Sequence, residues 1–333
     1  MTLETPIRHR LVNISPKAYE HPADRAATAA LKAIPYLDVV VRRLIEFNYE
    51  RAYRQVLLGN SVKIGENQLP DLYHNYLDVL DVLDMPERYD LYVQQTPAVN
   101  AMAIGAGKPI IVLNSGLVNM LDERQTKTVI AHEVGHILSD HVLYRTALII
   151  LLQLSSVALP IFVGLPLLAI RLALLEWFRA AELSCDRAAT LAVRDPQVTA
   201  RVMMNLAGGT NSEKLNLDAF IEQAKEYENW NDGYDKAQRF FVEIGATHPF
   251  PVWRVQEILK WVQSGDYDRI LRGEYPKRNE APNPAREAGD AVNFYGERFN
   301  EAFKSAGESA QSMASKMGDW LRKAGEPRED NKN

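Results

Sequence analysis

Residues 122–138 read DERQTKTVIAHEVGHIL, and no other stretch of the chain constrains its structure and chemistry as tightly. Asp122 with Gln125 three residues later is a helix N-cap pair, and Val129, Ile130, Ile137 and Leu138 then recur at helical spacing. One helix therefore carries His132, Glu133 and His136, the H-E-x-x-H pattern. Side chains four apart on a helix share a face, with Cβ atoms about 6 Å apart, so both imidazoles reach a single tetrahedral ion. The spacing fits zinc, one ion per chain. Glu133 lies between the two histidines in angle and need not bind the metal, which leaves its carboxylate available to take a proton from an activated water.

Beyond this helix, a second pair repeats the spacing. Glu182 and Asp186 are four apart in a stretch predicted as helix from Trp177 to Val193. Glu182 is a candidate third ligand, and Asp186 a candidate acceptor for the free ring N–H of a ligand histidine. The plainer alternative makes Arg179, Glu182, Asp186 and Arg187 a solvated ion-pair face. His141 lies nine residues beyond His132, about 180° away on a continuous helix, and reads as structural or as a helix-end cap. Cys185 is about 60° from Glu182, close enough for a thiolate ligand, but a small packed residue is the preferred reading.

The rest of the chain supplies a frame. Residues 17–57 read as helical, with Pro35 dividing two helices, and Leu72, Tyr76, Val79, Leu80 and Leu83 form the apolar stripe of another helix over 69–83. Three short strands are expected at 89–93, 99–104 and 110–113, with Gly105, Gly107 and Pro109 turning between the last two. Residues 147–170 are almost wholly apolar. Both halves of the candidate site flank this run, so a single membrane crossing would separate ligands that must meet. The run is expected either to enter a membrane and return as an apolar hairpin, with Pro160, Gly164 and Pro166 available for the reversal and Arg171 near the interface, or to be buried in the protein as a helical hairpin capping the cleft. Further helices are expected at 197–206, 217–227, 234–244 and 252–262. Past Tyr275 a proline-rich linker leads to a tail in which Val292, Tyr295, Phe299, Ala302 and further apolar residues as far as Trp320 recur by threes and fours, an amphipathic helix suited to lying on the body or to self-association.

Composition sets the outer limits. With 333 residues, 47% of them hydrophobic, the chain can bury a sizeable core, divided here into a unit at 1–275 and a tail at 276–333. A net charge of -5 leaves no basic field for a phosphate backbone, so nucleic acid is not an expected partner. The single cysteine cannot form an internal disulfide, and no secretory pattern comes after Met1, so the expected setting is cytoplasmic, either on the cytoplasmic face of a membrane or soluble.

The chain resembles the HtpX-like and CAAX-prenyl-endopeptidase family of zinc metallopeptidases. The residues that carry the resemblance are His132 to His136, Glu182 with Asp186, and Thr247-His248-Pro249 followed by Arg254; Asn100, Ala101, Met102 and Ala103, with 110–117 after them, are similar to that family's edge strand and its approach to the active-site helix. The match spans about 70–262. It implies an α+β fold of gluzincin type, mostly helical with a small sheet, with zinc on His132, His136 and Glu182. It also implies Asp186 behind a ligand, His248 or Arg254 facing the oxyanion with Arg254 alternatively structural, and a polypeptide substrate paired along 100–103. Cys185 stands where that family has alanine, and the N-terminal pair of membrane spans is missing. Two functions remain in view: an endopeptidase acting in membrane-associated protein quality control, or a metal-binding scaffold or chaperone-like adaptor without turnover. Only the first needs Glu133.

Overall fold

The computed structural model describes residues 9–32, 50–105, 107–154, 164–229 and 249–279. A 3-10 turn at Pro16–Ala18 precedes α1 (Pro22–Lys32), α2 (Glu50–Asn60), β1 (Ser61–Lys63), α3 (Pro70–Val82), β2 (Asp90–Gln94), β3 (Ala101–Ile104) and β4 (Ile110–Asn114). Next come α4 (Ser115–Met120), α5 (Glu123–Leu138), α6 (Val142–Leu154), α7 (Gly164–Val193), α8 (Pro196–Gly208), α9 (Leu217–Asn229), α10 (Pro251–Gln263) and α11 (Asp266–Leu271). The described chain is mostly helical with one four-stranded sheet in the order β1-β2-β4-β3.

The three expected strands form within one or two residues of their predicted limits, and β1 is an addition, too short to show a period. β2 and β4 run parallel with Asp90 opposite Ile110, while β3 pairs antiparallel to β4 with Ala101 opposite Leu113. All five residues of β4 are buried, because it is sandwiched. Ile111 and Leu113 join the main core with Leu80, Ile130 and Val134, whereas Ile110 and Val112 meet Leu57 of α2 and Tyr92 on the other face. That explains the uninterrupted apolar run of β4. β3 ends the sheet beside the candidate site.

α5 begins at the predicted capping box: Gln125 N–H donates to Asp122 Oδ1 at 2.8 Å and Asp122 N–H to Gln125 Oε1 at 3.3 Å. It stops at Leu138, since Asp140 takes the left-handed conformation with φ 59°. His141, read as structural or as a helix-end cap, falls just beyond this end, and the condition of a continuous helix through it is not met. The turn brings His141 N–H back to the carbonyl of His136 at 2.9 Å. α5 lies along α7, and Gly135 makes the close approach possible: a Cβ there would stand 3.0 Å from Ala188 Cβ and 3.4 Å from Cys185 Cα, inside the 3.5–4.0 Å of an ordinary carbon contact.

The apolar stretch departs from its predicted form in one respect. α7 starts at Gly164 rather than near Trp177, so Gly164 and Pro166 occupy a first helical turn, where a missing proline N–H costs nothing, and not the reversal. Among the described residues no helix is long and apolar enough to cross a membrane. The expected helix at 234–244, Pro35, Pro160, His248 and the tail beyond 279 lie outside the described residues.

Candidate active site

α5 and α7 present their polar residues to each other across the Gly135 contact. His132 Nε2 and His136 Nε2 are 3.2 Å apart; Glu182 Oε2 is 3.3 Å from the first and Glu182 Oε1 3.1 Å from the second. Bonds of about 2.0–2.1 Å at the tetrahedral angle place ligand atoms about 3.3 Å apart, so the spacing suits one zinc ion. His136 and Glu182 have no exposed surface, and His132 has 8%. Asp186 Oδ1 lies 3.0 Å from His132 Nδ1, the ring atom turned away from Glu182. Such a carboxylate fixes the tautomer that leaves Nε2 free to bind.

Arg254, reaching in from α10, closes the arrangement. Its Nε donates to Asp186 Oδ2 at 2.7 Å and its Nη2 to Asp186 Oδ1 at 2.6 Å, a two-pronged pair, and Nη2 is also 3.4 Å from Glu182 Oε2. These contacts suit the structural one of the two roles the sequence left for Arg254, while the residue also lines the cavity beside these groups. Its guanidinium is committed to Asp186. Glu133 is 3% exposed and accepts from Arg145 Nη1 at 2.8 Å. Reading the sequence missed Arg145. The signal available was an arginine in an otherwise apolar stretch, a charge that must find a partner if buried.

Charge balance explains why the cluster calls for a cation. Burial disfavours a charged His132, but the Glu182 and Asp186 carboxylates outweigh it and push the ring up to about 9. Burial, and then the Arg145 charge, takes His136 well below the usual imidazole range. Burial alone would raise Asp186, yet Arg254 holds it below the ordinary carboxylate value. Without a metal, a proton on His132 thus does the neutralising. Zinc loading at pH 7 is accordingly expected to expel about one proton, from His132, and to weaken as pH falls below about 9. Calorimetric titration in two buffers of different ionisation enthalpy reads this number; zinc binding with no proton release would contradict it.

A second trio of possible ligands, His136, His141 and Cys185, lies behind the first. Cys185 Sγ is 3.6 Å from His141 Nδ1, and His141 Nε2 is 3.0 Å from the buried Asp24 on α1. Burial and the Glu182 carboxylate push the Cys185 thiol well above its ordinary range, and the residue is fully buried.

A cavity of about 260 Å³ opens beside these groups. Glu133, His132, Glu182, Asp186 and Arg254 are among its polar lining, and Val129, Val202, Met203, Leu206 and Phe250 among its apolar lining. Asn100 and Ala101 reach its rim, placing the start of β3 at the cleft, while Met102 and Ala103 continue that strand without lining the cavity.

A buried H-E-x-x-H helix, a facing glutamate and a cleft bounded by an edge strand define a metal-dependent peptidase. The chain belongs to Peptidase family M48, whose pattern matches residues 66–262, and it is a zinc metalloprotease. It is similar to the plastoglobule-localized metallopeptidase 48 of Arabidopsis thaliana chloroplasts, 37% identical over 266 residues, 76% of this chain and 75% of that one. Shorter matches join it to the protease HtpX homologs of Tropheryma whipplei strain Twist, 35% over 86 residues, and Bacillus subtilis strain 168, 32% over 91 residues. The latter two cover 25% and 27% of this chain and 28% and 30% of those proteins. No solved structure matches.

Proposed function

We propose that the protein is an endopeptidase that holds one zinc ion on His132, His136 and Glu182 and uses Glu133 as its general base. The observation that carries this reading is the 3.1–3.3 Å spacing of the two histidine Nε2 atoms and the two oxygens of Glu182, with Glu133 lining the cavity beside them. When bound, zinc supplies Lewis-acid activation of water and of the scissile carbonyl. Glu133 takes a proton from the attacking water and returns it to the leaving amine. Asp186, clamped by Arg254, holds the His132 ring. His248, by resemblance, supplies the oxyanion donor.

An extended peptide lying along Asn100, Ala101, Met102 and Ala103 would pair its main chain with the outer edge of β3. The apolar cavity then receives one substrate side chain, so cleavage is expected beside bulky apolar residues. A cleavage profile on a complex peptide library tests this. Leu206→Trp, which narrows the cavity, is expected to move the preference toward smaller side chains; an identical profile in wild type and variant would remove the cavity from specificity.

The almost wholly apolar sequence of 147–170 supports a further part of the reading: the stretch 147–175, anchored at its ends by the buried Ala147, Leu148, Leu174 and Leu175, meets a membrane surface on the cytoplasmic side, where the enzyme acts in protein quality control, within a catalytic unit at 1–275 and with the tail at 276–333 available for self-association. The expected result is a protein that pellets with membranes, resists salt and is released by detergent. Full recovery in the salt-washed soluble fraction would overturn the membrane part and leave the peptidase part standing.

A further inference from the structure

The catalytic reading assigns Arg145 no role, yet among the described residues it is the side chain that bonds to the Glu133 carboxylate. Nη1 donates to Glu133 Oε2 at 2.8 Å, and each side chain is 4% exposed. Burying a guanidinium is costly unless it is paired and held in place, and here its surroundings hold it firmly. Phe178 of α7 lies under it at 5.3 Å and also stacks on the His136 ring at 6.2 Å, so one aromatic side chain backs both a proposed ligand and the guanidinium. The turn of α6 that bears Arg145 is fixed from the opposite side. Thr146, fully buried, accepts from Gly105 N–H at 3.1 Å, and its Oγ1 lies 3.1 Å from the Gly105 carbonyl and 2.7 Å from that of Val142. The end of β3 and the face of α7 together leave Arg145 little freedom to move.

A carboxylate that shuttles a proton must present one oxygen to the reacting water in a narrow range of orientations, and a misplacement of about 1 Å costs on the order of 100-fold. Glu133 sits on a helix with two soft torsions before its carboxylate, and Arg145 supplies the bond that orients that group. We infer that Arg145 is the positioning residue of the general base: it holds Oε2 from the rear of the site and so reserves Oε1 for the water and the leaving amine. This rests on the assignment of Glu133 as base, and it adds that the apolar α6, outside the H-E-x-x-H helix, carries part of the catalytic machinery.

The test uses the full-length, zinc-loaded protein and a quenched fluorogenic peptide taken from the library profile. Arg145→Met is expected to lower kcat by roughly 10- to 100-fold, the usual range for loss of an orienting partner, with KM and zinc content within about two-fold of wild type. Arg145→Lys, which keeps a charged donor on a shorter reach, should recover about half or more of that loss on a logarithmic scale. Added to Glu133→Gln, Arg145→Met should cost nothing further, since the group it orients is gone. If Arg145→Met does not fold, Arg145→Gln, a smaller polar replacement, decides the matter by the same comparison of kcat, KM and zinc. Wild-type kcat in either neutral variant, losses shared by KM and zinc content, or full additivity with Glu133→Gln would each overturn the inference. Undiminished activity in Glu133→Gln alone would instead overturn the assignment of the base, which separates the two claims.

Discussion

Glu133→Gln is expected to lower turnover by several thousand-fold, roughly the upper end for a general base, while leaving fold and zinc content intact. The amide is nearly the same size and keeps an oxygen that can accept from Arg145 Nη1, the 2.8 Å partner of the native carboxylate. It cannot accept the proton of the attacking water. Because Glu133 is not one of the three residues whose atoms are spaced for zinc, the metal should stay. General acid–base groups contribute roughly 100- to 10,000-fold, and Glu133 serves twice in the cycle, so the loss should lie toward the upper end. Initial rates on the library-derived peptide, with elemental analysis of the same sample, read both halves of the expectation. Activity within ten-fold of wild type would contradict the mechanism, and loss of zinc would make Glu133 a ligand.

Arg254→Met is expected to have the largest effect on stability. Arg254 and Asp186 are 5% and 1% exposed and joined by two short bonds. Removing the cation strands a carboxylate in the interior, which typically costs about 3–5 kcal/mol. Asp186 then loses the partner that holds it below 3.8, and with it the orientation of His132. The dependence on pH has a definite sign. A depressed carboxylate contributes its stability fully above the unfolded value of about 3.8 and loses it as pH falls through the lower folded value. The difference between wild type and variant in chemical denaturation should therefore be large at pH 7 and shrink in acid. A difference below about 1 kcal/mol at neutral pH would mean that Asp186 is held by something else.

How much of this arrangement can be read from the sequence depends on how far apart in the chain its partners stand. The start of α5 is legible because Asp122 and Gln125 form its capping box, and its face because apolar positions recur at helical spacing. The four-residue spacing of Glu182 and Asp186 points at one partner, but that alone leaves a solvated face open; packing against α5 through Gly135 removes that alternative by burying both carboxylates. Arg145 and Glu133 are 12 residues apart, Arg254 and Asp186 68, and no local period links either pair. The turn that brings His141 back toward His136 is not legible, because Ser139 and Asp140 contain neither glycine nor proline to announce the left-handed residue beyond the helix end. The start of α7 escapes for the opposite reason: a uniformly apolar run has no period from which a helix boundary can be read.

Every step of the mechanism depends on the ligand set, and zinc-edge X-ray absorption of the loaded protein reads that set atom by atom. The expected first shell contains nitrogen and oxygen only, at about 2.0–2.2 Å, with the multiple scattering of two imidazoles. A sulfur scatterer at about 2.3 Å would place Cys185 on the metal and contradict the assignment of His132, His136 and Glu182.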